Sequence, residues 1–398
     1  MTTRLTLALA ALLPACAAAQ DAVPTGAPVE QGPKNADFEP AFENQTRAPA
    51  LAETAVSPTT VVDGLVHPWG IAPLPEGGWL VTERAGRLRV LGEDGSLSEP
   101  LSGLPQVDAR EQGGMLDVTT GPDFGSDRMV YFTYSKQVEG GTVTAVARGT
   151  LAEDLSGLSG VEDIFLQTPP ADTPAHYGSR LMFDGEGHLF VSMGEHFSDA
   201  NRQLAQDNST TYGKVIRILP DGSIPEGNPQ LEGWEPAIWS TGHRNPQGLA
   251  MDADGQLWEI EHGPAGGDEL NLVEPGLNYG WPEVSYGLRY DGGAIGSAQA
   301  RAEGFEEPVY YWDPVIAPSG AQFYDADAFE GWEGDLLIAS LRPGGVVRLQ
   351  IKDGRVVGEE RIATDLGRVR DVEVAPNGDV LALTDYDNGA VVRISPAQ

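Results

Sequence analysis

Cysteine is almost absent: Cys16 is the only one in 398 residues. That excludes a disulfide framework and a cysteine-built zinc site. Positive charge is scarce too, with 25 Lys and Arg against 59 Asp and Glu and a formal charge of −34. A chain this acidic does not track nucleic-acid phosphates, and it is poorly suited to an anionic membrane surface. Beyond the N-terminus no apolar run approaches the ~18 residues of a membrane span. GxGxxG units, a GxSxG elbow and a Walker loop are also missing, so nicotinamide, acyl-enzyme and nucleotide chemistry lack support. His67, His188 and His196 share no short ligand spacing, which argues against a histidine-built zinc centre.

What remains describes a folded, turn-rich protein. Hydrophobic residues at 40% and aromatics at 8% are enough for a substantial core. The 50 Gly and 30 Pro, about a fifth of the chain, call for many tight turns and few long helices. Residues 1–19 have the layout of a secretory signal peptide: Arg4, the apolar run from Leu5 to Leu13, then a small-residue site at Ala17-Ala18-Ala19. A periplasmic or secreted location is therefore expected. Leu13-Pro14-Ala15-Cys16 also resembles a bacterial lipobox, and processing there would leave the chain lipid-anchored at Cys16. Residues 20–57 lack periodicity and are expected to form a flexible leader. Residues 58–398 show no composition break and are expected to form one domain.

Within that domain a pattern of strand, Gly/Asp turn and strand recurs. It occupies 69–91, 115–135, 180–195 with 214–222, 248–263, 321–351 and 369–394. Six similar units that cannot bury their faces alone predict an all-β, six-bladed β-propeller. A sandwich would not repeat this way, and a β-helix would repeat more often. The segment TVVDGL (60–65) is a candidate outer strand closing the last blade.

In a propeller the loops at one end of the channel gather residues distant in sequence. Polar residues at equivalent junctions are Gln112, His176, Arg244-Asn245, Arg342, Arg368 and Arg370, with Gly263-Pro264 in a similar position. Arginines from this small basic set suggest a ligand with several carboxylates or phosphates, which the guanidinium fork matches. An isolated arginine would ordinarily pair with a neighbouring acid, and an isolated histidine is ordinarily structural; His243 and His262 are read that way. Arg368 and Arg370 are two apart, so both point to one side of a strand. Asp252, Asp254 and Gly255 look like part of a calcium loop but are read as an ordinary turn.

Together HPWGIA, EQGGMLDVTTGPDF, STGHRNPQGLA, EHGP…GDELNLVEPGLNYGWP, DPVIAPSGAQFY, SLRPGGVVRL and RVRDVEVAPNG resemble the soluble pyrroloquinoline-quinone (PQQ)-dependent glucose/sorbosone dehydrogenase family, from about residue 60 onward. The resemblance implies a six-bladed propeller and roles for these positions. His176 would be the general base. Arg244 and Asn245 would contact the quinone oxygens, and the carbonyls of Gly263 and Pro264 would hold Ca²⁺. Gln112, Arg342, Arg368 and Arg370 would hold the cofactor's carboxylates and rim, with Gln206 as a further pocket residue.

Ala175, Ser179 and Val315 depart from common family residues, which leaves the sugar, aldehyde or polyol substrate open and glucose in particular doubtful. The segment VSYGLRYDGG does not reproduce the calcium-binding stretch of the dimeric glucose oxidisers. The electron acceptor stays unassigned. Two other readings are a non-catalytic binding propeller and a Ca²⁺-dependent lactonase or esterase. The retained arginine set argues against the first, and the want of a clear Glu/Asn/Asp metal set argues against the second.

Overall fold

The computed structural model describes residues 24–397, so residues 1–19 and Cys16, with their expected processing, lie outside the described residues. Strand β1 (Val56–Leu65) opens the order. Blade one holds β2 (Pro68–Pro73), β3 (Trp79–Glu83) and β4 (Arg87–Leu91). Blade two holds β5 (Met115–Thr120), β6 (Met129–Val138), β7 (Gly141–Leu151) and β8 (Leu158–Leu166). Blade three holds β9 (Gly178–Phe183), β10 (Leu189–Met193), β11 (Lys214–Ile218) and β12 (Ile238–Thr241). In blade four are β13 (Pro246–Met251), β14 (Leu257–Glu261), β15 (Asp268–Val273) and β16 (Tyr310–Trp312). Blade five follows with β17 (Pro318–Phe323), β18 (Leu336–Ser340), β19 (Val346–Lys352) and β20 (Arg355–Ile362). Blade six combines β21 (Val369–Val374), β22 (Val380–Thr384) and β23 (Gly389–Pro396) with β1 as its fourth strand.

Every sheet is antiparallel, and the first strands β2, β5, β9, β13, β17 and β21 contact one another in a closed ring around the channel. The six-bladed propeller expected from the repeats is therefore the observed fold. Closure comes from pairing the two ends of the domain, Val56 with Pro396 through to Leu65 with Gly389. The closing strand contains TVVDGL and starts four residues before it, at Val56.

The core is divided among the blade interfaces. Because side chains alternate across a strand, neighbouring residues serve opposite neighbours. Leu80 packs toward blade two while Val81 packs toward blade six. Likewise Leu337 faces blade six, whereas Leu336 and Ile338 face blade four. A strand sandwiched this way needs apolar residues on both faces, so β3, β10, β14, β18 and β22 are buried at every position.

The channel is blocked midway by a buried ion cluster. Arg180 Nη1 donates to Asp117 Oδ1 and Asp371 Oδ2, both at 2.9 Å, and its Nε donates to Gln247 O at 3.0 Å. The guanidinium carbon lies 4.4 Å from the Trp69 ring centroid. A Cβ at Gly320 would stand 1.6 Å from Asp371 Oδ1, so only glycine allows β17 this close to the cluster. Burial raises the Asp117 carboxyl to about 6, against the opposing charge of Arg180.

One expectation is corrected. Residues 24–55, read as a flexible leader, lie against blades four and five. Asn35 and Ala36 N–H groups donate to the Asp313 carboxylate. Ala48 is fully buried in the core between those blades, and Ala50 forms a parallel bridge with Glu359. This segment satisfies its backbone groups with distant partners, so it needs no periodicity of its own.

Replacing Arg180 by Met leaves two buried carboxylates facing each other, and unpairing a buried charge costs about 3–5 kcal/mol. The urea midpoint of Arg180→Met is expected to fall accordingly; a midpoint equal to wild type would show that the cluster contributes nothing to stability.

Candidate active site at one end of the channel

The chain enters each innermost strand from the same end, usually through a left-handed residue. His67 (φ 46°) precedes β2, His176 (φ 46°) precedes β9, Ala317 (φ 47°) precedes β17 and Gly367 (φ 67°) precedes β21. For a residue with a Cβ this conformation is strained, and such strain gathers where the surrounding structure holds a functional side chain in place. Two of these residues carry polar rings: His67 lies against Asp385 and His176 against Glu195.

His176 is buried, and its Nδ1 lies 3.2 Å from Glu195 Oε1. Its Nε2 has no partner among the described residues. Burial, then the nearby charge of Arg244, lowers the His176 pKa, while the bond to Glu195 pulls the other way. Burial alone would raise Glu195, but His176 and Arg244 outweigh it and the carboxyl sits below its ordinary value. The pair is thus a neutral imidazole with its Nδ1–H directed at a carboxylate, leaving Nε2 free to accept a proton. Gln112 supports it from behind, its Oε1 accepting the His176 N–H at 2.9 Å.

Arg244 is almost wholly buried, with Nη1 donating to His262 O and Gly263 O and Nη2 donating to Tyr290 OH. Its Nε is buried without a partner, as is Arg370 Nε. Asn245 Oδ1 accepts from Gly178 N, and its own N–H donates to Glu261 Oε2. Gly263 N–H is held by Asp268 Oδ1 at 2.8 Å, and the Pro264 carbonyl has no partner among the described residues.

Across the mouth, Arg368 and Arg370 converge, as their spacing required, and both donate to Asp385 Oδ2 at 2.9 and 2.7 Å. His67 Nδ1 lies 2.8 Å from the other oxygen of that carboxylate. Burial would raise Asp385, but Arg370, His67 and Arg368 hold it well below the usual carboxylate range. Arg342 stands exposed at the turn between β18 and β19 on the same face, its N–H donating to Ile316 O.

Other expectations resolve as follows. Gln206 is bound through its amide to Asn278 and Trp281 O, so it anchors the NYGWP segment. His243 Nδ1 lies 3.6 Å from a carboxylate oxygen of both Glu259 and Glu261, and His262 Nε2 lies 2.6 Å from Pro318 O. Asp252 spends its Oδ1 on the N–H groups of Asp254 and Gln256, so that motif is a turn. Sequence reasoning missed Glu195, Asp385 and Tyr290; each follows a strand or lies in a loop, with no motif of its own.

Two cavities adjoin the channel. The larger, about 1320 Å³, lies beyond the Arg180 cluster and is lined by acids such as Asp254, Asp325 and Glu373, which suits no anionic ligand. A smaller one of about 350 Å³ opens beside Arg244, between Phe197, Trp281 and Tyr290. The Phe197 ring is 4.9 Å from that of His176, so aromatic surface adjoins the candidate base.

Asp385→Asn removes the one carboxylate between two arginines. Because the native pKa of Asp385 is depressed, its stabilising effect is complete above the unfolded value of about 3.9 and is lost as pH falls below it. Urea titrations are expected to show a stability gap to wild type that is constant from pH 7 to about 4 and narrows in stronger acid. A gap independent of pH would rule out this ionic role.

A family model for Glucose / Sorbosone dehydrogenase matches residues 65–393. Aldose sugar dehydrogenase YliI of Escherichia coli is 41% identical over 352 residues, 87% of this chain and 94% of that protein. The apo-form crystal structure of the soluble aldose sugar dehydrogenase from Escherichia coli superposes with a TM-score of 0.83 at 41% identity, over 86% of this chain and 100% of that one. The PQQ-bound aldose sugar dehydrogenase of Streptomyces coelicolor gives 0.72 at 28% identity, over 87% of this chain and 100% of that one. With the propeller and the matched range in agreement, the chain belongs to the Glucose / Sorbosone dehydrogenase family.

Proposed function

We propose that this protein oxidises an aldose, a sugar aldehyde or a related polyol with PQQ and Ca²⁺ bound at the channel mouth, after export from the cytoplasm. The carrying observation is the neutral His176–Glu195 pair beside Arg244, opposite the Arg368–Arg370 pair. The residues present fit the cofactor. PQQ is a planar tricarboxylate, and the unpartnered Nε groups of Arg244 and Arg370 are buried donors suited to an anion. Ca²⁺ favours hard oxygen ligands, which the Pro264 and Gly263 carbonyls supply. Gly263 O now accepts from Arg244 Nη1, so a cation there would release that donor toward the quinone.

When bound, PQQ would supply the hydride acceptor, with Ca²⁺ as the Lewis acid polarising it. The chain's own residues do the rest. His176 Nε2 accepts the substrate hydroxyl proton, and Glu195 fixes the tautomer that leaves Nε2 unprotonated. Arg244 and Asn245 present donors to an oxygen that gains negative charge. Arg368, Arg370, Arg342 and Gln112 form the rim for the cofactor's carboxylates. Phe197 and Tyr290 offer ring faces to the apolar side of a sugar. A signal-type N-terminus, with Cys16 as the lipidation alternative, supports the periplasmic or secreted location.

The decisive experiment is reconstitution of the full mature chain with PQQ, with and without Ca²⁺, followed by aldoses, aldehydes and polyols with an artificial electron acceptor. Calcium-dependent binding and substrate-dependent turnover are expected, and His176→Ala should keep the cofactor while losing roughly 10²–10⁴-fold in kcat. Failure of a folded protein to bind PQQ would sink this reading and favour a binding propeller. Glu195 raises the His176 pKa, so Glu195→Gln should lower it further. The acid limb of kcat/KM, already below about pH 6.5, should shift to lower pH while kcat falls. An unmoved limb would remove Glu195 from the mechanism.

A further inference from the structure

Residues 24–55 lie outside the family-matched range, and the Escherichia coli aldose sugar dehydrogenase structure is covered in full by 86% of this chain. Yet the segment is seated by specific contacts. Asn35 donates from N and Nδ2, and Ala36 from N, to the carboxylate of Asp313, which is 1% exposed. Arg47 Nη2 ties Gly32 O to Asp313 O. Gln45 Nε2 donates to Pro308 O and Glu307 Oε2, and Tyr286 OH donates to the same Glu307 oxygen at 2.6 Å.

The two anchored points lead directly to the site. Asp313 begins the loop whose Ile316 and Ala317 N–H groups donate to Asp268 Oδ2, while Asp268 Oδ1 holds Gly263 N–H. A Cβ on Gly266 would stand 2.7 Å from Asp313 Oδ1, so Asp313 also bears on the 263–267 turn. Tyr286 begins the stretch in which Leu288 bridges to Ala265 and Tyr290 OH accepts from Arg244. One extra segment therefore braces both walls behind Arg244, Gly263 and Pro264.

We infer that residues 31–48 are a strap that positions this side of the site, with Asp313 as the positioning residue through which it acts; the effect on Ca²⁺ and PQQ rests on the function proposed above. A strap of this kind adds no group that touches substrate. It restricts the carbonyls and the guanidinium to one arrangement, so its loss should weaken loading rather than the chemical step.

The test uses the full mature chain carrying Asn35→Pro, which deletes the N–H and the side-chain donor to Asp313 without touching the propeller. Asn35→Ser, which keeps the N–H, is the conservative control, and Asp313→Ala is the second variant. In the apo protein, hydrogen exchange at Gly263, Ile316 and Ala317 should rise at least tenfold in Asn35→Pro, with the inner strands of blades one to three unchanged. With PQQ, half-saturating Ca²⁺ should rise at least tenfold while kcat at saturation stays within about twofold, and Asn35→Ser should behave as wild type. Unchanged exchange overturns the inference, as does raised exchange with unchanged half-saturation. If wild type itself fails to bind PQQ, the proposed function fails, and the exchange result alone decides whether the strap positions these loops.

Discussion

Everything in this molecule is arranged around one buried cation. Arg180 lies on the channel axis with Asp117 from β5, Asp371 from β21, the carbonyl of Gln247 from β13, the Trp69 ring from β2 and the glycine gap at Gly320 in β17. All six innermost strands therefore meet at a single guanidinium. Two carboxylates and one arginine leave a net negative cluster out of water, which is expensive unless every hydrogen bond is made. The Leu181 N–H donates to Asp117 Oδ2 and the Val372 N–H to Asp371 Oδ1, while the Ile71 N–H shares Asp371 Oδ2 with Arg180, and these bonds meet part of that cost. The cluster also divides the channel, so the acidic cavity on one side and the arginine-lined mouth on the other are separate environments.

The mouth resolves an electrostatic conflict. Gathering arginines in one place is unfavourable in itself, and here Asp385 sits between Arg368 and Arg370 with His67 on its far oxygen. The carboxylate stays ionised and keeps both guanidinium groups in place before any ligand arrives. Opposite, Glu195 performs the complementary task on His176, where burial and Arg244 keep the imidazole neutral. One acid thus holds two guanidinium groups in place, and the other orients an imidazole whose charged form burial and Arg244 disfavour. Preorganisation of this kind is what allows a site to act without reorganising during the reaction.

Much of this was legible in the chain. Six turn–strand units gave the blade number, since the faces of such sheets can only be buried against one another. TVVDGL, the candidate outer strand, does lie in the strand that closes the ring by pairing with the last strand of the chain. The i, i+2 spacing of Arg368 and Arg370 placed them on one side, as the shared Asp385 oxygen shows. Asp252 read as a turn, and its carboxylate is consumed by its own backbone. Gln206, read as a pocket residue, also ties Asn278 and the Trp281 carbonyl, more than seventy positions away, a bond that no local pattern announces.

The sequence by itself determined the class of fold and the residue types available at each junction, because strand alternation and turn chemistry are local and repeat. Tertiary structure alone decided which acids face which cations. Glu195 and Asp385 are two among 59 acidic residues and carry no motif; only the ring of blades brings them to His176 and Arg370. The same holds for residues 24–55. Their composition is that of a leader, but their hydrogen-bond partners lie more than 250 positions away, at Asp313 and Pro308, and no local pattern encodes a bond to a distant loop.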